Sequence, residues 1–124
     1  MYERIESKEK FRMLLVGDLE MEGEKILLSD HIDVRCDVLK VGHHGSSGAS
    51  SETFLKAVQG KWAVISCGKD NKYGHPHIQT LERLQENGYE WTSTSIRGAV
   101  FVEFSSKGYT IRCQKKRIEM RDGG

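Results

Sequence analysis

A chain of 124 residues, 37% apolar and 30% charged, fits one domain and is long enough to bury one core without staples. Its formal net charge of +1 gives no global field to gather nucleic acid or acidic lipid. Three widely spaced cysteines, Cys36, Cys67 and Cys113, include no Cys-x-x-Cys pair, which excludes a zinc ribbon and a disulfide framework.

No apolar run approaches the ~18 residues of a membrane span, so the chain is expected to be soluble, without a signal peptide, and not to enter a membrane itself. In chain order, Tyr2 to Glu6 and Phe11 to Val16 flank a polar Ser7-Lys8-Glu9-Lys10 turn and predict a hairpin. Met13-Leu14-Leu15-Val16 is continuously apolar, as a strand buried on both faces would be. It ends in Gly17-Asp18-Leu19, and Glu20 to Ser29 reads as a short helix. Asp37 to Val41 is the next strand, and it stops at Gly42-His43-His44-Gly45-Ser46-Ser47. Ser50 or Ser51 can cap a helix over Glu52 to Gln59, which Gly60 closes. Trp62 to Ser66 is a further strand, followed by an irregular loop from Cys67 to His75. Pro76 suits the first turn of a helix running to Asn87, with Gly88 ending it. Tyr89 to Thr94 is a strand. Ala99 to Phe104 and Tyr109 to Cys113 predict a second hairpin through Ser105-Ser106-Lys107-Gly108. The charged stretch 114–124, with Lys115, Lys116 and Arg117, reads as a frayed tail beyond a single α/β domain over 1–113.

Strand and helix alternate three times through the middle of the chain. That order predicts an α/β fold: a mixed sheet with parallel pairs, flanking helices and a C-terminal β-hairpin. In such sheets ligands sit outside the carboxyl ends of the strands. Three strands end in polar, glycine-bearing loops, so Asp18, His43, His44 and His75 can face one cleft. Carboxylates and imidazoles are the donors that Zn²⁺ and harder ions such as Mn²⁺ use. Each residue also has a plainer role open to it. Asp18 can cap the helix that follows it, and the two adjacent histidines can be solvated. His77 reads as solvent-facing within its helix, and His31 as a cation at a helix C-terminus.

Gly17-Asp18-Leu19-Glu20, Asp37 to Ser46, and Ala63-Val64-Ile65-Ser66 with Tyr73-Gly74-His75-Pro76-His77 resemble the second half of a metallo-β-lactamase-fold (αββα) domain. The resemblance is to the C-terminal domain of ComEC-type competence proteins, which internalise DNA in bacteria, and it covers roughly Tyr2 to Phe104. It implies that Asp18 matches a metal-bridging aspartate and His75 the last metal-ligating histidine of a site holding two zinc or manganese ions. It implies that His43 and His44 act beside the metals on a scissile phosphate. Ser46 and Ser47 are the expected substrate contacts, near a helix N-terminus that favours anions. The implied partners are single-stranded or duplex DNA and the missing N-terminal half of the domain. The implied parent sits in the bacterial plasma membrane with this domain extracytoplasmic.

The sequence departs from the family at one point. The His-x-His-x-Asp-His motif, or its aspartate variant, is absent, since the only histidines are His31, His43, His44, His75 and His77. A hydrolytic site needs at least three protein ligands and an open position for water. The chain is therefore expected to be part of a larger domain, to bind no metal alone and to be inactive alone. Met13, Leu15, Leu39 and Ile65 are the residues expected on a face left bare for the missing half. The alternative functions are a docking or DNA-guiding module without catalysis, and a hydrolase of small phosphoesters or esters.

Overall fold

The computed structural model describes residues 2–8, 10–69 and 71–114. The tail expected over 114–124 lies, apart from Gln114, outside the described residues. A five-stranded sheet runs in sequence order through β1 (Glu3–Glu6), β2 (Arg12–Leu15), β3 (Val38–Lys40), β4 (Trp62–Ile65) and β5 (Glu90–Ser93). The β1/β2 pair is antiparallel and the other three pairs are parallel. The crossovers are α1 (Met21–Ser29), α2 (Glu52–Val58) and α3 (Ile78–Glu86). A sheet that adds each parallel strand on the same side, through right-handed crossovers, places all its helices on one face. Leu14, Leu39, Ala63 and Ile65 of the sheet accordingly share a buried cluster with Leu27, Phe54, Leu55, Val58 and Leu84 of the helices.

After β5 comes a single turn, α4 (Thr94–Arg97), too short to be read from periodicity. The hairpin β6 (Val100–Ser105) and β7 (Gly108–Cys113) then folds over the face without helices. Phe11, Val38 and Val64 are buried there beneath Val100, Val102, Tyr109 and Ile111. The Phe104 ring stacks on Phe11 with centroids 4.8 Å apart. Two of the four residues expected on a bare face are therefore elsewhere. Leu39 and Ile65 are fully buried against the helices, because strand alternation puts them on the same side as Leu14. Met13 packs against the hairpin cluster, and only Leu15 stays with half-buried Lys40 on the open part of that face.

Two expectations at helix ends are corrected. Gly60 is not the left-handed cap of α2; Gln59 takes that conformation at φ 56°. Gly60 instead leaves room for the Tyr89 ring, which lies 2.6 Å from where a Cβ would sit. The Tyr89 hydroxyl donates to the Leu55 carbonyl at 2.7 Å and accepts from the Gly60 N–H at 3.0 Å. Pro76 lies outside α3, whose N-cap is His77. Ser51 does cap α2, its Oγ accepting from the Phe54 N–H at 3.2 Å.

The N-terminus of α2 carries a second acceptor. Glu24, from the first turns of α1, is 1% exposed. Its carboxylate accepts from the Ser50 and Ser51 N–H groups, the latter at 2.9 Å. The anion that this helix end favours is thus supplied from within the chain. A buried carboxylate held by two backbone donors contributes through its charge-assisted bonds, and its loss would strand those donors. Glu24→Ala is expected to lower unfolding free energy by about 2–4 kcal/mol, and Glu24→Gln by about half as much. Urea titration followed by circular dichroism checks both values.

Candidate functional site

The loops after β2, β3 and β4 all leave the carboxyl edge of the sheet, because those strands run parallel. The middle loop, Gly42–Gly45, is a tight turn in which both histidines take left-handed backbone angles, His43 at φ 50° and His44 at φ 56°. Two successive non-glycine residues in that region are uncommon and are held only where neighbours fix them. Here the neighbours are the flanking loops. The His43 N–H donates to the Gly17 carbonyl at 2.8 Å, and the His77 N–H donates to the Gly45 carbonyl at 3.0 Å. The two glycines permit this closeness. A Cβ on Gly42 would lie 2.8 Å from the Leu19 carbonyl oxygen. One on Gly45, itself at φ 82°, would lie 2.7 Å from the Pro76 side chain.

These ties bring together Asp18, His43, His44 and His75. Ring centroids separate His43 from His44 by 6.3 Å, His43 from His75 by 6.0 Å, and His44 from His75 by 6.2 Å. His44 Nδ1 lies 2.8 Å from the Ser66 carbonyl. A carbonyl can only accept, so the proton is on Nδ1 and the Nε2 lone pair is free in the neutral ring. That Nε2 faces Asp18 Oδ1 at 4.0 Å. Two acceptors thus face each other across a gap suited to a proton or a cation.

Glu20, part of the Gly-Asp-Leu-Glu stretch but given no role from sequence, places Oε2 3.3 Å from His43 Nδ1. That is ion-pair reach without hydrogen-bond alignment, and the buried Nδ1 has no hydrogen-bond partner among the described residues.

His77 is not the solvent-facing helical residue expected. It is half-buried, and both ring nitrogens are used. Nδ1 accepts from the Ser47 N–H at 2.9 Å, and Nε2 donates to the Tyr73 carbonyl at 3.0 Å. It acts as a strut between loops. Ser47 is correspondingly committed: its Oγ lies 3.2 Å from His77 Nδ1 and its carbonyl accepts from Arg83 Nη2 at 2.9 Å. Ser46 Oγ accepts from the Gly48 N–H at 3.1 Å. The helix N-terminus beyond them is occupied by Glu24.

Asn71 also escaped notice in the sequence. Its Oδ1 accepts from the His75 N–H at 2.9 Å and its Nδ2 donates to the Gly68 and His75 carbonyls, each at 2.8 Å. A lone asparagine in a loop carries no signal of such a splint beyond its general liking for turns.

No protein-family model matches the chain. It is 40% identical over 94 residues to ComE operon protein 3 of Bacillus subtilis. It is 34% identical over 107 residues to competence protein ComA of Neisseria gonorrhoeae, and 38% over 95 residues to recombination protein 2 of Haemophilus influenzae. This chain is similar to competence proteins. The alignments take in 76%, 86% and 77% of the chain, but the chain spans only 12%, 15% and 12% of those relatives. No helix among the described residues is long and apolar enough to cross a membrane.

The donors do not by themselves make the two-ion centre that the resemblance to competence proteins implies. Among the described residues, no group of three or more histidine, cysteine, aspartate or glutamate side chains is placed to hold an ion. Asp18 and His44 supply two facing donors where a hydrolytic centre needs at least three. In this competence-protein relative the cluster is electrostatically crowded. Partial burial, then the imidazoles of His77, His43 and His44, push His75 below its usual 6.5. Charging it is harder in the folded chain than in the unfolded one. Below about 6.5 the unfolded state therefore binds more protons, and stability falls as pH drops through that range. A proton NMR titration should show His75 titrating below the usual imidazole value, and His44→Gln should move it back upward. Gly45→Ala should disrupt the site from the backbone, with a loss of about 1–3 kcal/mol in chemical denaturation.

Proposed function

We propose that this chain is the second half of a metallo-β-lactamase-fold (αββα) hydrolase domain in a bacterial DNA-uptake protein, and that the complete domain cleaves phosphodiester bonds, in DNA above all. The observation that carries the reading is the gap between His44 Nε2 and Asp18 Oδ1, 4.0 Å across, at the one sheet edge where three loops converge. Both atoms are acceptors when His44 is neutral, so the gap favours a cation between them. The similarity to competence proteins supports a role in DNA uptake.

In this reading Asp18 and His75 are metal ligands of the complete domain, and the remaining ligands come from the N-terminal half. Zinc or manganese would supply the Lewis acid and the activated water. The chain's own residues do the positioning. The Ser66 carbonyl holds the His44 proton on Nδ1, so Nε2 is presented as an acceptor. Glu20 lies beside His43, and that imidazole faces the phosphate oxygens. Ser46 and Ser47 shape the turn beside these rings, their hydroxyls engaged with the Gly48 N–H and the His77 ring. The parent would be anchored in the plasma membrane, with this domain outside the cytoplasm.

The shortage of donors favours one second reading: a docking or DNA-guiding module that never binds metal. The two are separated by assaying cleavage of single-stranded and duplex DNA with Mn²⁺ or Zn²⁺. The 124-residue chain should show no metal-dependent turnover. A longer domain that includes the N-terminal half should cleave, and Asp18→Ala in it should lower kcat by about 100-fold or more. Turnover by the short chain, abolished by Asp18→Ala, would contradict the half-site reading. No turnover by the longer domain would favour the docking module.

A further inference from the structure

We infer that Tyr73 is a stacking platform for an unpaired base, and that Lys69 and Lys72 of the same loop take the adjoining phosphates, so that single-stranded nucleic acid is the form presented to the histidine cluster. The inference rests on the reading above only in taking a phosphodiester chain as the ligand. Tyr73 is 64% exposed, the most exposed of the large apolar side chains described. An exposed aromatic is unremarkable on a loose loop, but this one is fixed. Its N–H donates to Asn71 Oδ1 at 3.2 Å and its carbonyl accepts from His77 Nε2 at 3.0 Å. Its ring stacks on His75, with centroids 5.6 Å apart and planes 25° from parallel. His75 in turn lies 6.2 Å from His44 at 18°. Tyr73 thus ends a row of roughly parallel rings that leads to the Asp18–His44 gap.

A platform held on both sides of its backbone loses little further freedom when a base lands on it. Every base has a π face, and stacking on an aromatic ring is the sequence-tolerant part of single-strand binding. In a duplex those faces are covered by neighbouring base pairs, so an exposed ring favours the unpaired form. Lys72 Nζ lies over the Tyr73 ring, 5.2 Å from its centroid, so in this proposal it swings off that face to a phosphate when a base stacks there, and Lys69 is exposed on the same loop. Both can reach the backbone of a nucleotide whose base lies on the ring.

The test is fluorescence anisotropy of the 124-residue chain with a short labelled oligothymidylate at low salt, without metal. Tyr73→Ala should weaken binding about 5- to 100-fold, while Tyr73→Phe, which keeps the ring, should bind as the parent chain does. Lys69→Ala with Lys72→Ala should reduce the slope of log affinity against log salt by about 1.4 for two phosphates on a single strand. The Tyr73 ring protons should shift upfield in NMR spectra as oligonucleotide is added. Tyr73→Ala binding at full affinity, duplex binding as tightly as single strand, or no binding of oligonucleotide would each overturn the platform. None of these outcomes decides the hydrolase reading, which stands or falls on metal-dependent cleavage by the longer domain and its loss in Asp18→Ala.

Discussion

The hydrogen bond from the His43 N–H to the Gly17 carbonyl, 2.8 Å long, joins the loops that follow two neighbouring parallel strands. It requires the chain to turn left-handed twice in succession at His43 and His44, a conformation that neither residue would choose alone. The turn persists because everything around it is already committed. Val41 donates to Val64 in the next strand, and Gly45 accepts from His77. Gly42 and Gly45 give the space for neighbouring chain to come within van der Waals contact. The site is a consequence of that one packed crossing of loops.

Beneath it, the sheet has two unequal faces. One carries three helices and most of the core. The other is partly covered by a hairpin whose Phe104 stacks on Phe11 and whose Tyr109 packs against it at a tilt. Glu24 connects the helix layer to the site from behind. By accepting from Ser50 and Ser51 it fixes the start of α2, and therefore the far end of the loop that begins with the two histidines. Arg83 fastens the same loop from α3, through the Ser47 and Ala49 carbonyls. Buried polar groups of this kind specify one arrangement of loops, because each alternative leaves donors unpaired.

The chemistry of the cluster follows from which nitrogens are already used. His77 has none to spare, since one nitrogen accepts from Ser47 and the other donates to Tyr73. His44 has one, and it points at a carboxylate. His43 has a buried nitrogen beside Glu20 with no aligned partner among the described residues. The competence proteins that this chain is similar to are many times longer, the chain spanning 12% and 15% of two of them.

Much of the fold was legible in the sequence. Strands and helices alternate with distinct periods, glycines or serines punctuate them, and the parallel order follows from the helical crossovers. That same logic placed Asp18, His43, His44 and His75 at one edge before any distance was known. Sequence could not tell which face Leu39 or Ile65 would take, since a continuously apolar strand has no alternation to read. Nor could it find α4, at four residues, or distinguish Gly60 as packing space from Gly60 as a cap. The roles of Glu24, Glu20, Asn71 and His77 were hidden for a common reason. A glutamate in a polar helix turn, or a histidine or asparagine in a loop, looks solvated until its partner, distant in sequence for Glu20 and Glu24 but local for Asn71, is brought beside it. The sequence alone determined the order of elements and the edge at which chemistry could gather. Only the tertiary structure decided which polar atoms are spent on holding the loops and which are left free to act, because hydrogen-bond partners are set by distance in space.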